Sequence, residues 1–303
     1  MMTLYSAFMF ALTGAIFGSF AGAQVWRLRA RQLREDKQEG EKIDAREYKQ
    51  LSPLIVKPSQ DRSRCLSCGH TLAWYDLLPI VSWMSTRGKC RYCKKPIGWF
   101  ELLMELGFAV FFVLSYISFA PELGTLLGMA RLAIWLAAGV LMGILLAYDA
   151  KWFLLPEKIN ITLGIFGAIF ATLTLAGQGI SGSALLSLVG SLAIMSGLYL
   201  VIYVISRGAW IGFGDVILGI GLGFLLIDWE KAFLALFLAN LLGLIAVAPA
   251  YVQRKVTGKT HIPFGPFLIV ATILVVLCGD VMMSTASTII ERFTSLVLYP
   301  LML

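Results

Sequence analysis

The chain has 303 residues, 58% of them hydrophobic and 14% charged, with a mean hydropathy of +0.81. Soluble domains carry about a quarter charged residues, so this balance excludes a water-soluble globular protein. The net charge of +7 is concentrated: residues 27–98 hold 16 basic and 8 acidic side chains, and the rest of the chain holds 9 and 10.

The first apolar run, 2–26, is preceded by no charge and followed by Arg27, Arg29, Arg31 and Arg34. Ala21-Gly22-Ala23 looks like a signal cleavage site, but this charge polarity is reversed for a secretory signal and predicts an uncleaved anchor. Residues 28–62 are charged, with Pro53 and Pro58 near their end, and read as a solvated helix or partly flexible insertion without chemistry.

Next come two cysteine pairs, Cys65-Leu-Ser-Cys68 and Cys90-Arg-Tyr-Cys93, separated by 21 residues. Each pair can chelate through a tight turn, and two such knuckles complete a tetrahedral Zn²⁺ site. Four thiolates leave no open position, so the expected zinc is structural. His70 reads as a surface or supporting residue, since four cysteines already suffice. The basic cluster Arg87-Gly88-Lys89 to Lys95 reads as a solvated face. Cys278, alone in an apolar span, reads as a small packing residue.

Beyond residue 99 the apolar runs 100–119, 126–148, 159–177, 183–205, 211–227, 232–252 and 262–279 predict seven further spans. The expected fold is therefore an all-α polytopic membrane protein of about eight transmembrane helices, with a small cytoplasmic zinc-knuckle domain between the first two. Its parts are a first span (1–28), the charged insertion with the knuckles (29–98) and the membrane domain (99–303). Basic segments stay in the cytoplasm, which predicts an outside N-terminus. The count is self-consistent. Lys151, Lys158, Arg207, Arg254, Lys255 and Lys259 fall inside, while the outside loops are nearly free of positive charge. The tail from Val281 to Leu303 either extends the last span or lies along the interface.

Acids at membrane depth are costly and point to function. Glu122, Asp228, Glu230 and Asp280 fall at outside edges, and Glu101 and Glu105 open the second span. Asp149 instead closes an apolar run, and Asp215 follows Gly212-Phe213-Gly214 and leads into another. The two glycines allow close backbone approach or a break in the helix. Both acids are expected at the cytoplasmic ends of their spans. Two carboxylates meeting there would share one proton, the arrangement of an aspartyl protease. Taken alone, the acids suit an ion- or proton-coupled transporter better than a protease.

Taken together, the motifs resemble the bacterial type IV prepilin leader peptidase / N-methyltransferase family of GxGD aspartyl proteases. The resemblance rests on Gly212-Phe-Gly-Asp215, Asp149 before Leu155-Pro156, and Ser63-Arg-Cys65-x-x-Cys68-Gly-His70. It extends through Trp74-Tyr-Asp76-Leu-Leu-Pro79, Arg87-Gly-x-Cys90-Arg-x-Cys93, Glu105-Leu106 and Ile262-Pro-Phe-Gly-Pro-Phe267. It implies an inner-membrane enzyme that cleaves the short basic leader of prepilins or type II secretion pseudopilins after glycine, at the cytoplasmic face. It further implies N-methylation of the new terminus with S-adenosylmethionine. Asp149 and Asp215 then take the protease role, supported by Gly212 and Gly214. The four cysteines hold zinc, and Glu105 and Asp76 are candidates for methyl transfer. The partners are prepilins and lipid, not nucleic acid. Three positions depart from the family pattern: Ile217 replaces Lys, Gly22 replaces Asn, and Pro156 is followed by Glu157. A GxGD protease cutting ordinary transmembrane segments gives no reason for the knuckles.

Overall fold

The computed structural model describes residues 4–56, 61–253 and 263–298. Among these the backbone is helical apart from turns and two isolated β-bridges, Arg64↔Thr71 and Lys89↔Pro96. Seven helices are long and apolar enough to cross a membrane, and an eighth apolar helix is shorter. The expected all-α multi-pass fold is the one observed. Arg254, Lys255, Lys259 and Ile262 lie outside the described residues.

The chain divides into two compact units. The first comprises residues 1–124 and 136–156, with helices α1 (Leu4–Gln38), α2 (Ala45–Leu51), α3 (Val81–Thr86), α4 (Phe100–Phe119) and most of α5 (Leu126–Trp152). Lipid offers no hydrophobic drive for helix pairing, so close backbone packing must supply the attraction. Helix α1 meets α4 through glycines: a Cβ on Gly14 would lie 2.4 Å from the Phe108 carbonyl oxygen, and one on Gly18 2.6 Å from that of Met104.

The charged insertion is folded. Helix α1 runs on to Gln38, and Asp44 caps α2 by accepting from the N–H groups of Arg46 and Glu47 at 2.8 and 3.4 Å. Ala30, Leu33 and Leu51 are buried together as a small core with Trp26, Ile43 and Tyr48 around them. A two-pronged pairing holds α2 down: Arg29 donates to Glu47 at 3.0 and 2.7 Å, and Trp152 Nε1 donates to Glu47 Oε1 at 2.9 Å. The segment read as a solvated insertion is thereby fastened to the end of α5.

The second unit comprises residues 125–135 and 157–303. It holds α6 (Glu157–Gln178), α7 (Gly182–Leu192), a π-helical turn (Ala193–Gly197), α8 (Leu198–Ser206), α9 (Phe213–Leu226), α10 (Trp229–Val252) and α11 (Gly265–Leu298). Helix α9 is short and central, with Leu218, Leu222 and Leu225 buried. It lies so close to the π-helical turn that a Cβ on Gly219 would be 2.1 Å from the Met195 carbonyl oxygen. The hydroxyls of Ser191 and Ser196 donate to the Gly223 and Val216 carbonyls, both at 2.9 Å. Helix α11 continues through Leu298, so the tail extends the last helix. Cys278 is exposed on α11, which corrects its reading as a packing residue.

Candidate functional site

The four paired cysteines converge. Their Sγ atoms all lie within 4.8 Å of one another, and the Cys65 and Cys93 sulfurs are 4.0 Å apart. Tetrahedral Zn–S bonds imply sulfur–sulfur distances of about 3.8 Å, so a small contraction would close this cluster on a metal. The two knuckles repeat one another. The Cys65 carbonyl accepts from Gly69 N–H at 2.8 Å, and the Cys90 carbonyl accepts from Lys94 N–H at 2.9 Å. Gly69 (φ +72°) and Lys94 (φ +61°) occupy the same left-handed position, which glycine adopts freely and lysine does not. Burial pushes the Cys65 thiol up to about 12. Cys90 is also disfavoured as a thiolate by burial, yet hydrogen bonds headed by those from the Cys93 and Tyr92 backbones bring it down to about 7. A bound cation would hold all four as thiolates. His70 stays out of the ligand set and stacks on Tyr92, with ring centroids 3.7 Å apart.

Asp76 and Glu105 line one pocket of about 160 Å³ beside the knuckles. The Asp76 carboxylate is fully engaged: Arg91 Nε and Tyr92 OH donate to it at 2.9 Å, and Ala73 N–H at 3.2 Å. Burial favours its neutral form, but these donors outweigh that cost and hold the carboxyl below its usual range. Glu105, buried on α4, accepts from the Ile80 N–H at 2.7 Å. Ile80 has φ +63°, a costly backbone for a β-branched residue, so Glu105 fixes a strained turn in place. The Ser19 side chain is a second hydrogen-bond partner of Glu105.

Asp149, in the first unit, is 5% exposed in the last turn of α5. Its carbonyl accepts from the Phe153 N–H at 2.9 Å, and Phe153 turns left-handed at φ +58°, so the helix stops there. Pro156 then keeps the connection extended until α6 begins. Asp215, in the second unit, is half-buried at the third position of α9. Gly212 is the extended N-cap, with ψ 150°, and its N–H donates back to the Asp215 carboxylate. This is the reach of a third-position acid over a helix start. The residue between, Gly214, offers its carbonyl to Asn160 Nδ2 at 2.7 Å. Asn160 is wholly buried on α6. Sequence reading passed over it. The available signal was an amide inside an apolar span four residues past Pro156.

Comparison with known proteins agrees with this architecture. Residues 12–119 match the Bacterial Peptidase A24 N-terminal domain, and residues 135–248 match the Type IV leader peptidase family. The chain is 30% identical over 276 residues to a prepilin leader peptidase/N-methyltransferase of Pseudomonas aeruginosa, covering 89% of each protein. It is 29% identical over 292 residues to one from Dichelobacter nodosus, covering 92% of this chain and 94% of that protein. A third, from Aeromonas hydrophila, is 28% identical over 286 residues, covering 91% and 92%. No solved structure matches the chain. The fold and the cysteine cluster define a multi-pass membrane protein whose four clustered cysteines could hold a metal ion. The chain belongs to the type IV leader peptidase family. By that membership it is an aspartic peptidase, and the transporter reading of its acids loses its ground.

Proposed function

We propose that this protein removes the short basic leader from type IV prepilins or pseudopilins after a glycine, using Asp149 and Asp215 as its catalytic pair. The observation that carries the reading is family membership along nearly the whole chain. The local structure supports it, with one acid buried at a helix end and the other set at a helix start by a glycine pair. In this reading the two carboxylates share one proton. The ionised one takes a proton from water, whose oxygen attacks the carbonyl carbon of the glycine. The protonated one donates a hydrogen bond to the carbonyl oxygen, and the proton taken from water passes to the leaving nitrogen.

The charge distribution supports an outside N-terminus, with the knuckle domain and both acids on the cytoplasmic side, where a basic leader is retained. The four cysteines hold one structural Zn²⁺. S-adenosylmethionine supplies an electrophilic methyl group for the freed amine, and Glu105 and Asp76 are the candidates to orient or deprotonate that amine.

The test uses purified enzyme and a prepilin with a Gly-Phe junction. Asp149→Asn and Asp215→Asn should each abolish leader removal while the protein still inserts, and normal cleavage by either defeats the assignment. Mass spectrometry of the mature N-terminus reads the second activity; an unmethylated product at saturating donor removes it.

A further inference from the structure

Helix α3 and the turns before it, between the two knuckles, present apolar side chains outward. Trp74, Val81 and Met84 are 74%, 61% and 66% exposed, and Leu77 and Leu78 are exposed as well. Single exposed apolar residues are ordinary, but a run of them marks an interaction surface. The structure fixes the height of this segment against the membrane spans. The Ile80 N–H, at the start of α3, donates to the Glu105 carboxylate at 2.7 Å, and Glu105 lies five residues past the first residue of α4. Five residues advance a helix by about 7.5 Å, so the start of α3 sits alongside the first two turns of a helix fit to cross a membrane. The surface also runs on into that helix. Trp83 Nε1 donates to the Gly98 carbonyl at 2.8 Å, and its ring lies 4.8 Å from that of Trp99, the N-cap of α4. Trp99, Leu103 and Leu106, four and three residues apart, are exposed along one stripe of α4.

We propose that α3 and its preceding turns lie in the headgroup layer of the bilayer that α4 enters, with their apolar side chains against the acyl boundary. The lipid-facing surface of a span is thereby extended sideways onto the knuckle domain. Tryptophan suits that depth, because its ring is apolar and its one N–H needs a polar partner. Charge fits the same occupant. Residues 62–99 hold seven basic side chains and one acidic one, and that acid, Asp76, is paired with Arg91 at 2.9 Å. Arg87, Lys89, Lys94 and Lys95 are exposed and free to meet lipid phosphates. The basic cluster that reads in sequence as a solvated face gains a partner. The inference stands apart from the catalytic assignments, since it uses neither aspartate nor the methyl donor.

The test puts the photoreactive residue p-benzoylphenylalanine in place of Met84, and in a second variant in place of Trp74. Each full-length protein is reconstituted into nanodiscs of phosphatidylcholine and phosphatidylglycerol and irradiated, with and without an added prepilin. Mass spectrometry should find a phospholipid adduct at both positions. The same probe in place of Glu41, exposed in the turn between α1 and α2, should give none. Two probe positions keep the test decisive if one variant does not fold. Absence of lipid adducts at both positions overturns the proposal. Equal lipid labelling at Glu41 does so too, because contact would then be unselective. Adducts to the prepilin or to a second copy of the chain, in place of lipid, assign the surface to that protein and overturn it as well.

Discussion

Asn160 is where one atom can be removed next to the proposed chemistry. Its Nδ2 is the side-chain donor to the Gly214 carbonyl, one residue before Asp215, and the whole side chain is buried. Asn160→Ala leaves that carbonyl without its amide in a low-dielectric setting, a loss of about 1–3 kcal/mol. Part is returned, because Asn160 Oδ1 has no partner and its burial cost disappears as well. We expect a net effect of about 1.4 kcal/mol, a factor of ten. If the amide sets the Asp215 backbone for reaction, kcat for leader removal falls about tenfold with KM unchanged. A purely structural role would instead lower the melting temperature and leave kcat of the folded protein alone. Steady-state cleavage of a prepilin in detergent, paired with a thermal melt, separates the two. Asn160→Ala with wild-type kcat would refute the reasoning.

Other expectations follow from the same contacts. Elemental analysis should find about one zinc per chain, and Cys65→Ser with Cys90→Ser should remove it; full zinc in the double variant would count against the cluster. Gly219→Ala pushes a Cβ to 2.1 Å from the Met195 carbonyl oxygen and should cost at least about 1–3 kcal/mol, read as a lowered melting point. Hydrogen bonding from Arg29 holds the Glu47 carboxyl below its ordinary range, and Asp76 is depressed as well. Depressed acids stabilise above their unfolded pKa and lose that contribution as pH falls through the folded one. Docking of α2 and of the Asp76 turn, followed by hydrogen exchange, should therefore be flat across neutral pH and weaken only below about pH 4.

Much of the architecture was legible because lipid restricts the choices. The apolar runs expected to cross correspond to helical segments, and the cysteine spacing pointed to the four-thiol cluster. Details set by tertiary contact were not legible. The run 211–227 shortens to Phe213–Leu226 because Gly212 is extended and Ile227 turns at φ +65°, and hydropathy carries no record of either. The run 183–205 is interrupted by a π-helical turn where α9 presses on Met195 and Ser196 reaches the Val216 carbonyl, partners more than a dozen residues away. The insertion looked solvated because its charges outnumber its apolar residues. What docks it is a small buried core around Leu33 and Leu51 together with one carboxylate, Glu47, shared between Arg29 and Trp152.

The two knuckles superimpose in register, with Arg64–Thr71 and Lys89–Pro96 as corresponding eight-residue hairpins closed by the same bridge. Neither hairpin has an apolar interior of its own, so the ion would be the rivet that joins two copies of one small part. Such a part is interchangeable in principle. A chimera carrying the second hairpin in both positions would keep the four-thiol set while losing whatever the first hairpin alone supplies, which would separate the work of the two hairpins.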